Sequence, residues 1–367
     1  MNKTPLYETH QSCGAKLVDF AGWSMPLQYS GVIDEYHAIR GQAGLFDVSH
    51  MGRLQFSGKG ALEFLQFVTT NDVSKLAVRQ AQYSMVCNPS GGIKDDVFVY
   101  RTGSDTYLLC VNASNREKIS QWLSEQKANR PSAFNLQDCS AHMAQLALQG
   151  PSSKTILGEL LNDDSLDSLK PRWCLDARIF DGNVLITRTG YTGELGYELY
   201  LSAERAVDLW KRIMEVGASH GLKPAGLGAR DLLRLDMGYF LYGNDLTEET
   251  TPVEAGAEWV VGFEKPVFIG SDVLKQQKHD GPAKRLVAFE LLEKAVPRHD
   301  MGIFVEHEQI GQVTSGNLSP ILQKGIGLGY VTPQHSAEGT RFDIHIRGKK
   351  VPAVVVKLPF YKRTPSN

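Results

Sequence analysis

Short apolar runs bounded by turn residues are interspersed with stretches whose apolar positions recur every three or four residues. That pattern predicts strands and helices mixed along the chain, without the regular strand–helix rhythm of a parallel sheet. Helical spacing covers 34–43, 59–68, 115–127, 152–160, 203–220 and 228–237. In the fifth of these Ser202 is the expected N-cap and Gly221 the stop, and Val207, Trp210, Ile213, Met214 and Gly217 form a core-facing stripe. The clearest hairpin is YSMVCN, the turn Pro89-Ser90-Gly91-Gly92, and KDDVFVYR, followed by the strand TYLLCV and by strands over 177–180, 184–189 and 197–201. The polar stretch 275–283, with its Gly-Pro step, is expected to separate this α+β region from a small all-β domain beginning near Lys284. The strands of that domain are KRLVAFEL, IGQVTS, GIGLGYV, TRFDIHIR and KVPAVVVKL.

The chain has 367 residues, enough for more than one core, and its 39 Lys+Arg against 41 Asp+Glu leave no broad positive field for nucleic acid or an anionic membrane. The start MNKTPLYETH has no apolar targeting core, and no apolar run reaches the roughly 18 residues of a membrane span. A cytoplasmic protein with neither a nucleic-acid nor a membrane partner is expected. Cys13, Cys87, Cys110, Cys139 and Cys174 show neither a disulfide framework nor a metal knuckle. The zinc-protease, P-loop, nucleophile-elbow and dinucleotide fingerprints are all missing, which argues against those enzyme classes.

Three segments could carry chemistry. In KDDVFVYR, strand parity puts Asp95, Val97 and Val99 on one face and Asp96, Phe98 and Tyr100 on the other. If the valines face a core, Asp96 opens beside aromatic rings, where its charged form is disfavoured and its pKa raised. The plainer reading is that both aspartates end a turn. In RTGYTGELGYEL, three glycines and two tyrosines suit a tight loop against a flat ligand, and Glu198 points opposite to Tyr197 and Leu199; a solvent-facing strand Glu is the alternative. In GLGARDLLRLDMGY, Arg230 could hold a carboxylate bidentately, or belong to a surface cluster with Asp231 and Arg234.

Taken in order, FDVSHMG, NPSGGIKDDVFVYR, RTGYTGELGYEL, GLGARDLLRLDMGY with LYGNDL, VTSGNLSPILQKGIGLGYV and the ending KLPFYKR resemble the aminomethyltransferase, or T-protein, family of the glycine cleavage system. The likeness is collinear over nearly the whole chain. A related folate-binding branch with a tRNA-maintenance role carries a K-G-C-Y-x-G-Q-E segment, which is missing here.

The resemblance implies an α+β, cloverleaf-like fold of three subdomains around a central opening. Residues 1–275 would form the folate-binding aminomethyltransferase region, with two interwoven subdomains, and residues 284–363 a C-terminal β-barrel domain. It implies transfer of the one-carbon unit from the aminomethyl group on a lipoylated carrier, the H-protein, to tetrahydrofolate as cosubstrate. Ammonia, 5,10-methylenetetrahydrofolate and the dihydrolipoyl carrier would be released. Asp96 matches the family's central carboxylate, acting at the attacking folate nitrogen, and Asn112 its ligand-contacting asparagine. Glu198 matches the residue that reads the pterin edge. Arg230, with Arg363 of the C-terminal KR as the second candidate, would hold the folate glutamate, with Met51, Tyr83, Tyr191 and Tyr239 as walls. The competing readings are a folate-binding module without transferase activity and a folate-dependent demethylase.

Overall fold

A computed structural model describes residues 1–130 and 133–363. Two sheets and a barrel organise them. The first sheet is antiparallel and ordered Ala81–Cys87, Ile93–Gly103, Thr106–Val111, Gly52–Ser57, Asn135–Asp138. One face buries Val86, Val97, Val99, Leu109 and Leu54 against helices Ala61–Val68 and Arg116–Asn129. The second sheet runs Cys174–Ile179, Gly182–Thr187, Gly196–Ser202, Met143–Gln149, Ala43–Asp47, Leu222–Pro224, with only the last pair parallel. Its covered face packs Leu146, Leu148, Tyr197 and Leu199 on helices Ser153–Leu161 and Ala206–Gly217.

Because side chains alternate along a strand, each sheet with one face sealed by helices must turn the other elsewhere. Here those second faces meet. Tyr100 and Cys110 of the first sheet join Tyr200 of the second in one buried cluster, with Met51 and Phe98 packed on it. The chemistry-bearing parity of each strand therefore faces the seam between the sheets.

The C-terminal part is a closed six-stranded barrel of Arg285–Leu291, Lys324–Val331, Glu308–Ser319, Gly302–Val305, Arg341–Ile346 and Lys349–Val356. Five of these strands coincide with the sequence-based ones. The sixth, Gly302–Val305, has only four residues, too few for an alternation to register, yet it joins Glu308–Ser319 to Arg341–Ile346 and closes the ring. Helix Leu227–Met237 docks the barrel: Leu235 packs on Ala288, Ile326 and Leu328, and Asp236 accepts a 2.8 Å hydrogen bond from the Ser319 hydroxyl.

Two local expectations are corrected. Ser202 makes no side-chain cap; a 3-10 turn at Ala203–Arg205 leads into helix Ala206–Gly217 instead. Gly221 does take the left-handed conformation, with φ +68°, that favours glycine at a helix stop. The stretch 275–283 is not a plain linker. Residues 275–280 belong to helix Ser271–Asp280, whose one buried apolar side chain is Leu274; a single apolar anchor is too weak a pattern to read as a helix. No helix among the described residues is long and apolar enough to cross a membrane.

Candidate functional site

A cavity of about 1000 Å³ opens in the seam between the sheets, with the barrel and a C-terminal strap, residues 357–363, forming a further wall. Met51, Tyr83, Asp96, Asn112, Tyr191, Glu198, Arg230, Tyr239 and Arg363, drawn from seven separate stretches of sequence, all line it.

Strand Ile93–Gly103 sends Asp95 and Asp96 to opposite sides. Val97 and Val99 lie in the helix-covered core, and Asp95, on their side, is fully buried. It accepts from the Asn112 backbone N–H at 3.0 Å, the Asn112 amide at 2.8 Å and the Asn115 amide at 2.6 Å. Asp96 faces the cavity, where it accepts from the Tyr83 hydroxyl at 2.8 Å and from the Asn112 amide at 2.8 Å. One amide nitrogen thus bridges two adjacent carboxylates. Burial raises both carboxyls above the usual carboxylate range, and the Asp96 charge adds to the rise at Asp95. A buried aspartate pair held by neutral donors is suited to taking up and releasing a proton near neutrality.

Glu198 lies across the seam on strand Gly196–Ser202. Its neighbours Tyr197 and Leu199 enter the core, so parity turns Glu198 into the cavity rather than into solvent. It accepts from the Thr189 hydroxyl, from Tyr100 at 3.5 Å and from Gln145 at 3.3 Å. These donors orient the carboxylate beside the cavity. The loop before the strand can close because Gly196 carries no Cβ, which would come 2.4 Å from the Gln149 side chain.

The two arginines of helix Leu227–Met237 have different situations. Arg234 is buried and committed to protein partners: Asp245 and Ser315, both at 2.9 Å, Asp231 at 2.8 Å, and the Tyr239 carbonyl at 3.1 Å. The surface-cluster alternative does not hold for it. Arg230 lies over the Tyr191 ring, 4.6 Å from its centroid, and makes no ion pair or side-chain hydrogen bond among the described residues. Burial pulls its pKa down. A cation desolvated without an anion is a ready seat for one. Tyr191 stacks on Tyr239 at 5.9 Å, and Arg363, on the exposed C-terminal strap, sits 3.9 Å from Glu194.

Four lining residues carry no sequence signal. Gln145 and Trp259 sit in no motif, and Val18 and Phe20 belong to an N-terminal hairpin, Lys16–Phe20 with Trp23–Gln28, whose composition does not alternate cleanly. Among the described residues no group of three or more His, Cys, Asp or Glu is arranged to hold a metal ion.

Residues 6–265 match the family model of the GCVT N-terminal domain, and residues 284–362 that of the glycine cleavage T-protein C-terminal barrel domain. An aminomethyltransferase of Halothermothrix orenii is 49% identical over 360 residues, covering 98% of this chain and 100% of the relative. One of Geobacillus thermodenitrificans is 46% identical over 368 residues, covering 100% of both. Among solved structures, the glycine cleavage system aminomethyltransferase T from Bartonella henselae superposes with a TM-score of 0.92 at 33% identity, over 99% of this chain and 98% of that one.

Proposed function

The chain belongs to the glycine cleavage T-protein family of aminomethyltransferases, folate-dependent transferases, and from that premise we propose how its cavity performs the transfer. The cosubstrate is tetrahydrofolate and the donor is the aminomethyl group on the lipoyl arm of the H-protein. Tetrahydrofolate supplies the nitrogens that take the carbon. The carbon–sulfur bond of the donor breaks and the amino group leaves as ammonia. Of the two N–H protons the folate gives up, one ends on the lipoyl sulfur and one leaves with the ammonia.

One observation carries the reading. Asp96, Phe98 and Tyr100 share the cavity-facing parity of one strand, and Tyr100 touches Glu198. Asp96 and Glu198 are thereby joined by a wall of aromatic rings, with Asp96 and Tyr100 four residues, or about 13 Å, apart along the strand. That is the arrangement a pterin requires if its amino edge is read at one end and its reacting nitrogens lie at the other. Glu198 accepts from the pterin's exocyclic amino group and ring N–H together. Asp96, fixed by Tyr83 and Asn112, holds the attacking nitrogen and takes its proton. Arg230, with Arg363, holds the glutamate carboxylate, while Met51, Tyr83, Tyr191 and Tyr239 wall the rings.

In this reading residues 1–275 form the folate-binding region and 284–363 the barrel domain, and the protein works in the cytoplasm without a metal. The decisive experiment mixes purified protein with aminomethyl-loaded lipoyl carrier and tetrahydrofolate and follows ammonia and methylenetetrahydrofolate. Both should appear together. Ammonia release no faster than from the carrier alone would overturn the reading in favour of a binding module or demethylase.

A further inference from the structure

The aromatic wall does not stop at Asp96. Ring centroids follow one another from Tyr200 to Tyr100 at 5.6 Å, Tyr100 to Phe98 at 5.9 Å, Phe98 to Tyr83 at 5.6 Å and Tyr83 to Trp259 at 5.7 Å. The first member is 2% exposed and the last 64%. The series therefore leads from the interior, past the carboxylate at Asp96, to solvent.

Trp259 is held in place although it is exposed. Its turn, Glu258–Val260, is anchored by the buried Val260, whose N–H donates to the Ala257 carbonyl at 3.1 Å and whose own carbonyl accepts from the Thr70 hydroxyl at 2.8 Å. The indole lies nearly parallel to the Tyr83 ring, at 23°, and the Tyr83 hydroxyl donates to Asp96. Beside it, the exposed Gly256 would place a Cβ within 4 Å of nothing, so the cavity rim is open at this point. A large aromatic fixed at an open rim, with one face covering Tyr83 and most of its surface in water, adds little to core packing and offers a flat apolar platform to an incoming group.

We propose that Trp259 is the platform on which the lipoyl arm rests as its aminomethyl sulfur reaches Asp96, an inference that builds on the transferase reading above. With the pterin edge at Glu198 and the attacking nitrogen at Asp96, the departing sulfur must approach from the side of Asp96 opposite Glu198. That side is Tyr83 and Trp259. The arm is an alkyl chain ending in a thioether that bears a protonated amine. An aromatic face accommodates all three, by apolar contact, sulfur–ring contact and attraction of the cation to the ring. The folate tail is served by a different wall, since Arg230 and Arg363 come from helix Leu227–Met237 and the C-terminal strap.

The test compares wild type with Trp259→Ala, Trp259→Leu and Trp259→Phe, each first checked for an unchanged unfolding midpoint. Initial rates are measured with carrier varied at saturating tetrahydrofolate, with folate varied at saturating carrier, and with free aminomethyl-lipoamide replacing the carrier. Alanine and leucine should raise KM for carrier and for free aminomethyl-lipoamide alike, by about tenfold, with phenylalanine closer to wild type. KM for folate should stay within about twofold, a change too small to reflect a lost ring contact. An unchanged carrier KM, a parallel rise in folate KM, or an effect confined to the intact carrier would each overturn the proposal while leaving the transferase reading standing. A wild-type protein without folate-dependent ammonia release would overturn both.

Discussion

The Tyr83 hydroxyl donates a 2.8 Å hydrogen bond to Asp96 across two paired strands, both residues lining the cavity. Tyr83 pairs in register with Phe98 and Asp96 with Met85, so the contact is diagonal, one pleat along the ladder. Burial, and then the neighbouring Asp96, push the Tyr83 phenol well above its ordinary pKa, so it stays a donor throughout the working range. The bond favours the charged form of Asp96 against a burial that disfavours it.

Tyr83→Phe removes that donor and should raise the Asp96 pKa further. If Asp96 acts as a base, the acid limb of the kcat/KM profile for tetrahydrofolate moves to higher pH, because more of the enzyme is protonated and inactive at a given acidic pH. A profile measured from pH 5 to 9 reads this directly. An acid limb that stays put or moves down would remove Asp96 as the titrating base.

Asp96→Asn keeps the shape and much of the hydrogen bonding of the side chain but cannot accept a proton. Turnover should fall by about 10²–10⁴, the usual worth of general acid–base help, while folate binding changes little. Single-turnover rates and a folate titration separate the two. Near-normal turnover would sink the assignment.

Glu198→Gln presents one amide donor toward the pterin's own donors and also disturbs the acceptors for Thr189 and Gln145. Folate binding should weaken by about 1–3 kcal/mol. Titration of the variant with tetrahydrofolate checks it, and an affinity equal to wild type would exclude the pterin-edge role.

Arg230→Gln should cost folate affinity by about 1.5–3 kcal/mol, the worth of a hydrogen bond to a charged group, with little change in unfolding free energy. Its guanidinium has no carboxylate partner to abandon among the described residues. The pair of measurements, titration and denaturant unfolding, distinguishes a ligand contact from a structural one.

Arg234→Leu, one turn along the same helix, should do the reverse. It strands Asp245 in the interior and breaks the tie to Ser315 in the barrel. Removing one partner of a buried pair is worth about 3–5 kcal/mol of stability, read as a lower denaturant midpoint. A variant as stable as wild type would show that the ties of Arg234 to Asp245 and Ser315 add nothing to the docking of the barrel.

Much of this was determined by sequence. Strand parity in KDDVFVYR is a property of the chain, so once Val97 and Val99 are inward, Asp95 and Asp96 must diverge, and the same logic separates Glu198 from Tyr197 and Leu199. The collinear motifs placed the chain in its family, and the alternation after Lys284 marked five barrel strands. The sequence could not say what the outward parity would face. A strand written with one sealed side reads the same whether its other side meets water or a second sheet, because that depends on residues a hundred positions away, such as Tyr200 against Tyr100. Only the packing of the two sheets turned Glu198 from a surface carboxylate into a cavity wall. It likewise gave the arginines one turn apart opposite situations, Arg234 spent on Asp245 and Arg230 in the cavity without an anionic partner among the described residues. And it set Trp259, in a stretch with no motif, against Tyr83 at the open rim, a long-range contact for which local sequence carries no signal.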